Sequence, residues 1–220
     1  MGKYFTNKRL GAKNILEIDL NLEAIAQSNI VKELTVTKNF SERSDYFSLR
    51  SPSWGGDMRW ISSKSLDCHQ EFNKCFDLIE LPDLFKEIIE HSSRIVMYAG
   101  FLVERSASKL SYHTDWDEKV NNNAFTLLTP IHHPTDGIDL VYKDINGEEK
   151  KYEYKYGKAI IIGSELWHST EPGRSCEATK LLCFQFGTDL KAFNRAIFNC
   201  MGTQSAFFSL PDGRYVHRKT

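Results

Sequence analysis

The chain has 220 residues with 28 basic and 29 acidic side chains, a net charge of −1 at pH 7, and neither sign gathers in a long block. That length suits one domain with a sizeable core, and the charge balance argues against a nucleic-acid partner. Five cysteines, Cys68, Cys75, Cys176, Cys183 and Cys200, form no Cys-x-x-Cys pair, and no apolar run is long enough for a bilayer, so a cytoplasmic protein with reduced thiols and no membrane span is expected.

Residues 1–93 read as a mixed α/β lead-in. Ile15, Leu16, Ile18 and Leu20 predict a strand, and Asn21 can cap a helix that puts Leu22, Ile25 and Ala26 on one face. Leu34 and Val36 alternate with threonines, as in a half-buried strand. The stretch from Ser41 to Ser65 is polar and broken, and reads as irregular. Pro82 and Asp83 open a helix whose Leu84, Phe85, Ile88 and Ile89 form an apolar stripe for packing on a sheet.

From Arg94 the period becomes that of β structure. Ile95 to Val103 is a nearly continuous apolar strand, fit to be buried on both faces. Further strands are expected over Ala124–Thr129, ended by Pro130, over 138–142 and 151–156 around the turn Asn146-Gly147, over 158–163 and over 179–187. Asp189 can cap a terminal helix carrying Leu190, Phe193 and Ile197. Short strands at regular spacing predict a mainly β (α+β) fold, a sandwich or jelly roll with flanking helices, spanning residues 1–220, with its core at 94–187 and a helix and tail over 188–220.

The chemistry concentrates at Tyr112-His113-Thr114-Asp115-Trp116. On an extended backbone His113 and Asp115, two residues apart, project to the same side and can share one ion. A third ligand is expected from His168, 53 residues after Asp115 and at the end of the apolar run 158–163. Two imidazoles and one carboxylate on one face of an ion leave the other face open, the ligand set of non-haem Fe(II) oxygenases.

The order of these features, with Pro172-Gly173 after the distal histidine, resembles the Fe(II)- and 2-oxoglutarate-dependent oxygenases of the phytanoyl-CoA and prolyl-hydroxylase-like kind, over about residues 94–187. The resemblance implies a double-stranded β-helix in which His113, Asp115 and His168 bind Fe(II), with 2-oxoglutarate and O2 as co-substrates. It also implies hydroxylation of a C–H bond with release of succinate and CO2. The family's basic residue after the distal histidine has two candidates here, Arg174 at six residues and Lys180 at twelve. Lys180 is preferred, because with Leu182 and Phe184 it can face the barrel interior. Thr126 and Tyr98 can offer hydroxyls to the same carboxylate. Trp116 and Trp167, each beside a ligand, can wall the site, and Arg105 can meet an anionic substrate. His132 and His133, next to Pro134, read as loop residues. A small-molecule substrate is expected. The alternatives are a cupin-like isomerase or lyase holding Zn, Mn or Fe without an oxo acid, and a jelly-roll binding module without catalysis.

Overall fold

The computed structural model describes residues 15–28, 30–31, 47–50 and 58–218. In chain order they form β1 (Ile15–Asp19), α1 (Leu22–Gln27), β2 (Phe47–Arg50), β3 (Met58–Ser63), α2 (Leu66–Asp77), α3 (Leu84–Ile88), β4 (Val96–Ser108), β5 (Ala124–His132), β6 (Leu140–Lys143), β7 (Glu149–Tyr152), β8 (Lys158–Gly163), β9 (His168–Thr170), β10 (Gly173–Gly187), α4 (Asn194–Met201), β11 (Phe207–Ser209) and β12 (Tyr215–His217).

An antiparallel seven-stranded sheet runs β1-β8-β5-β10-β4-β3-β2, and a three-stranded sheet runs β7-β6-β9. The small sheet covers one face of the large one, where Leu140, Tyr142 and Tyr154 pack with Ile160 and Ile162. The other face is closed by α2 and α3, whose Phe72, Phe76 and Phe85 meet Phe125, Phe184 and Phe186. Gly100 permits that close approach, because a Cβ there would lie 2.3 Å from the Phe72 ring. The result is a jelly roll with flanking helices, and among the described residues no helix is long and apolar enough to cross a membrane.

Most strands predicted from residue 94 onward are present and several run longer, but the strand expected over 151–156 lies at Glu149–Tyr152, with 153–156 irregular, and the one expected over 138–142 begins at Leu140. β5 continues through Pro130, because β8 pairs with it only as far as Leu128 and the missing N–H therefore breaks no ladder bond to that neighbour. The turn at Asn146-Gly147 is held by the Asp144 carboxylate, which accepts from the Asn146 and Glu148 amides, and Gly147 adopts φ 81°. The lead-in differs more. β2 and β3 stand within the stretch read as irregular and join the main sheet, so the lead-in and the core share one sheet. Helix α2 was not expected, although Ser65 caps it and Cys68, Phe72, Cys75 and Phe76 line its buried side. Asn21 does cap α1, but Ala26 is exposed rather than on the buried face of Ile25. The strand expected at Leu34 and Val36 lies outside the described residues.

Asp189 caps no helix. Its carboxylate accepts five hydrogen bonds of 2.6–3.1 Å from the amides of Ser92, Ser93 and Arg94 and the hydroxyls of Ser92 and Ser93, and so clasps the entry of β4 to the exit of β10. Burial disfavours the charge, yet these donors outweigh it and hold the carboxyl well below the usual carboxylate range. A carboxyl depressed in the folded state contributes stability above its unfolded pKa, near 3.9, and loses that contribution as the pH falls. Asp189→Ala is expected to lower stability by about 1–2 kcal/mol in urea unfolding at pH 7, with the gap to the parent protein narrowing below about pH 4.

Candidate metal centre

The loop leaving β4 returns along the free edge of β9, where His113 and His168 exchange both backbone hydrogen bonds, N to O 2.9 Å in one direction and 3.0 Å in the other. Residues directly opposite in an antiparallel pair point the same way, and the two imidazoles stand with centroids 4.6 Å apart. The two-residue period then puts Asp115 on the same side. Its Oδ1 lies 3.8 Å from Nε2 of His113 and 3.5 Å from Nε2 of His168. The three donor atoms all lie within 4.8 Å of one another, close enough to hold one ion.

Both imidazoles are set by the same local contact. Nδ1 of His113 faces the Ser111 carbonyl at 2.9 Å, and Nδ1 of His168 faces that of Leu166 at 3.0 Å. An Nδ1–H donated to a carbonyl leaves the Nε2 lone pair for a metal. Burial and the neighbouring His168 lower the pKa of His113. At His168 burial acts the same way, but Asp115 beside it prevails and the pKa rises. Burial also opposes the charge on Asp115, whereas the two histidines and a hydrogen bond from Thr126 hold its carboxyl well below the usual range. The Thr126 hydroxyl in turn accepts from Trp116 Nε1 at 3.2 Å, which gives a relay from Trp116 through Thr126 to Asp115.

These three residues open onto a cavity of about 480 Å3 between the two sheets. From β10 it is lined by Leu181, Cys183 and Gln185, with Phe101, Val103 and Arg105 of β4 alongside. Arg105 pairs across the sheet with Thr179 and Met58, and burial lowers its pKa to about 10, so it stays charged at neutral pH. Its guanidinium lies against the Met58 sulfur, and among the described residues it has no acidic partner. A cation enclosed without a counter-ion is costly unless an anion arrives. Tyr154 lines the cavity near it, and its backbone amide donates to the buried Asp139 at 3.0 Å. Asp139 also meets His133 Nε2 at 3.1 Å and Lys151 at 3.1 Å, while His133 Nδ1 faces the Thr179 hydroxyl at 3.2 Å.

No family model matches the sequence, and no curated protein does. Solved structures do. A Pseudomonas putida prolyl-4-hydroxylase matches 82% of this chain and 96% of its own at 13% identity and TM-score 0.53. HygX from Streptomyces hygroscopicus, solved with nickel and 2-oxoglutarate bound, matches over 84% and 87% at 13% identity and TM-score 0.52. SnoN, a non-heme alpha-ketoglutarate-dependent epimerase of nogalamycin biosynthesis, matches over 82% and 80% at 8% identity and TM-score 0.57. The fold is that of the 2OG-Fe(II) oxygenases.

Within this oxygenase fold the structure sorts the residues singled out in the sequence. His113, Asp115 and His168 come together, and Thr126, Trp116 and Arg105 border the same cavity. Lys180 does not. It shares a face with Leu182 and Phe184, but that face is the one under the helices, and Lys180 lies 3.7 Å from Glu104. Arg174 is exposed at the start of β10, paired with Ala107 of β4 and away from the cavity. Tyr98 is buried outside the cavity and donates its hydroxyl to the Thr188 carbonyl at 2.7 Å. Trp167 does not line the cavity either. Sequence reasoning missed Gln185, Tyr154 and the His133–Asp139 pair; His133 does stand in the loop after β5, with its side chain largely enclosed against Asp139.

Because Thr126 steadies a ligand through a hydrogen bond, Thr126→Val is expected to weaken Co(II) affinity about tenfold in a chelator competition, with the fold retained by circular dichroism.

Proposed function

We propose that this chain is a non-haem Fe(II)- and 2-oxoglutarate-dependent oxygenase that hydroxylates a C–H bond of a small molecule. Per turnover, substrate, O2 and 2-oxoglutarate would give hydroxylated product, succinate and CO2. The observation that carries the reading is the joint presence, around one cavity, of two imidazoles with one carboxylate and of an enclosed arginine without an acidic partner among the described residues. A metal site alone would fit a cupin-like isomerase equally well. The cation adds a place for the far end of a dicarboxylic acid.

His113, Asp115 and His168 would hold the iron, and imidazole and carboxylate donors suit Fe(II). When bound, Fe(II) supplies an open coordination face for the oxo acid and O2. The residues of the chain then divide the remaining work. Arg105 takes the distal carboxylate, with a planar fork suited to two parallel charge-assisted hydrogen bonds. Thr126 and Trp116 keep Asp115 oriented, and Phe101, Val103 and Leu181 keep the intervening space apolar. A cavity of about 480 Å3 suits a co-substrate together with a small molecule.

The reading is tested by 2-oxoglutarate turnover, followed as succinate in the presence of Fe(II) and metabolite pools. His113→Ala is expected to abolish it. Arg105→Met is expected to raise the half-saturating 2-oxoglutarate concentration by about 100-fold, the effect of losing roughly 3 kcal/mol of charge-assisted contact. Lys180→Ala and Arg174→Ala are expected to leave that concentration within about twofold. The reverse ranking of Lys180 and Arg105 would return the anchor to β10, and turnover surviving His113→Ala would remove the iron assignment.

A further inference from the structure

The cavity end remote from Arg105 holds a polar feature that neither the iron ligands nor the oxo acid uses. Gln185 faces the cavity from β10, six residues along the strand from the Thr179 rung that pairs with Arg105. That spacing separates the two rungs by about 20 Å of strand. Gln185 is only 1% exposed, and its Nε2 donates to Gln204 Oε1 at 2.9 Å. Its own Oε1 is buried and has no hydrogen-bond partner among the described residues. Gln204, which follows α4, also lines the cavity, and its backbone carbonyl accepts from Trp60 Nε1 at 3.1 Å.

A tie between the C-terminal segment and the sheet explains the Gln185 Nε2 bond. It does not explain the orphaned oxygen, since leaving a buried acceptor unpaired is unfavourable. Two carboxamides joined head to tail always leave one free acceptor and at least one free donor, whichever way the pair is turned. Trp60 and Phe101, with ring centroids 4.7 Å apart, form an aromatic wall beside the pair, Thr126 stands opposite Gln185 on β5 and hydrogen-bonds the metal ligand Asp115, and Lys109 and Asp117 stay exposed at the rim.

We infer that Gln185 and Gln204 form a substrate subsite that reads a neutral, carboxamide-like edge, one hydrogen-bond donor beside one acceptor, on a flat or ring-bearing molecule packed against Trp60 and Phe101. The inference rests on the oxygenase reading and deepens it. The oxo acid takes the cationic end, and the molecule to be oxidised takes the carboxamide end, beside the metal centre. The pair itself offers a carboxylate no cation and an ammonium group a neutral acceptor, and the nearby Asp115 charge is committed to the metal, so both are disfavoured against an amide.

The test uses benzamide, benzoate and benzylamine as matched probes, followed by ligand-observed NMR on the full chain loaded with Zn(II) and 2-oxoglutarate. Benzamide is expected to bind saturably and about tenfold more tightly than either charged probe. Gln185→Leu and, at the less buried position, Gln204→Ala are each expected to weaken benzamide about tenfold. Gln185→Glu, which puts a carboxylate at the same place, is expected to move the preference to benzylamine, a change that a purely structural tie would not produce. Equal binding of the three probes, or benzamide binding that survives both Gln185→Leu and Gln204→Ala, overturns the inference. Binding of 2-oxoglutarate to the unsubstituted protein is measured in parallel. Its failure counts against the oxygenase reading, whereas its success with no benzamide preference counts against the subsite alone.

Discussion

The reciprocal backbone bridge between His113 and His168 is the constraint on which the site depends. Without it the loop after β4 and the strand β9 are two unrelated edges, 55 residues apart in the chain. With it, two imidazoles are forced to one side of a two-stranded rung, and the period of extended backbone delivers Asp115 beside them. The carbonyls of Ser111 and Leu166, each two residues before its histidine, then turn both rings alike. The donor set is thus a product of main-chain pairing first and of side-chain packing second.

The two faces of β10 show how the same strand serves core and cavity. Leu182, Phe184 and Phe186 lie under the helices, where Phe72, Phe76 and Phe85 cover them, while Leu181, Cys183 and Gln185 look between the sheets. The two-residue period fixes which cation enters the cavity. Lys180 falls on the helix-covered face and meets Glu104. Arg105, opposite Thr179 on the neighbouring strand, falls on the cavity face.

This division also explains what was legible in the sequence. The metal ligands could be read because His113 and Asp115 need only an extended backbone to converge, and because the run 158–163 announces a strand leading to His168. The strands after residue 94 were legible from their apolar runs and from Asn146-Gly147. The facing of those strands was not, since a strand buried on both sides is apolar at every position and carries no alternation to choose a side. Lys180 therefore keeps its predicted company of Leu182 and Phe184 but on the helix-covered face, and the Tyr98 hydroxyl expected at the site is committed to Thr188. Helix α2 escaped notice because Cys68, His69 and Cys75 dilute its apolar stripe, and β2 and β3 because polar residues border both strands. Gln185 and Tyr154 gain meaning only when non-local pairing brings them to one cavity.

Arg105, His113 and Asp115 fall within a single stretch of eleven residues. The cation of the cavity and two of its three donors are therefore encoded as one contiguous cassette, with only His168 supplied from afar. Within that cassette, insertion or loss of one residue in β4 before Arg105 would change the guanidinium's face and the reach of the ligand loop together, so a single event in the gene would disable both halves of the site. Conversely, grafting this segment with its partner rung onto another jelly roll would carry most of the chemistry in one transplant.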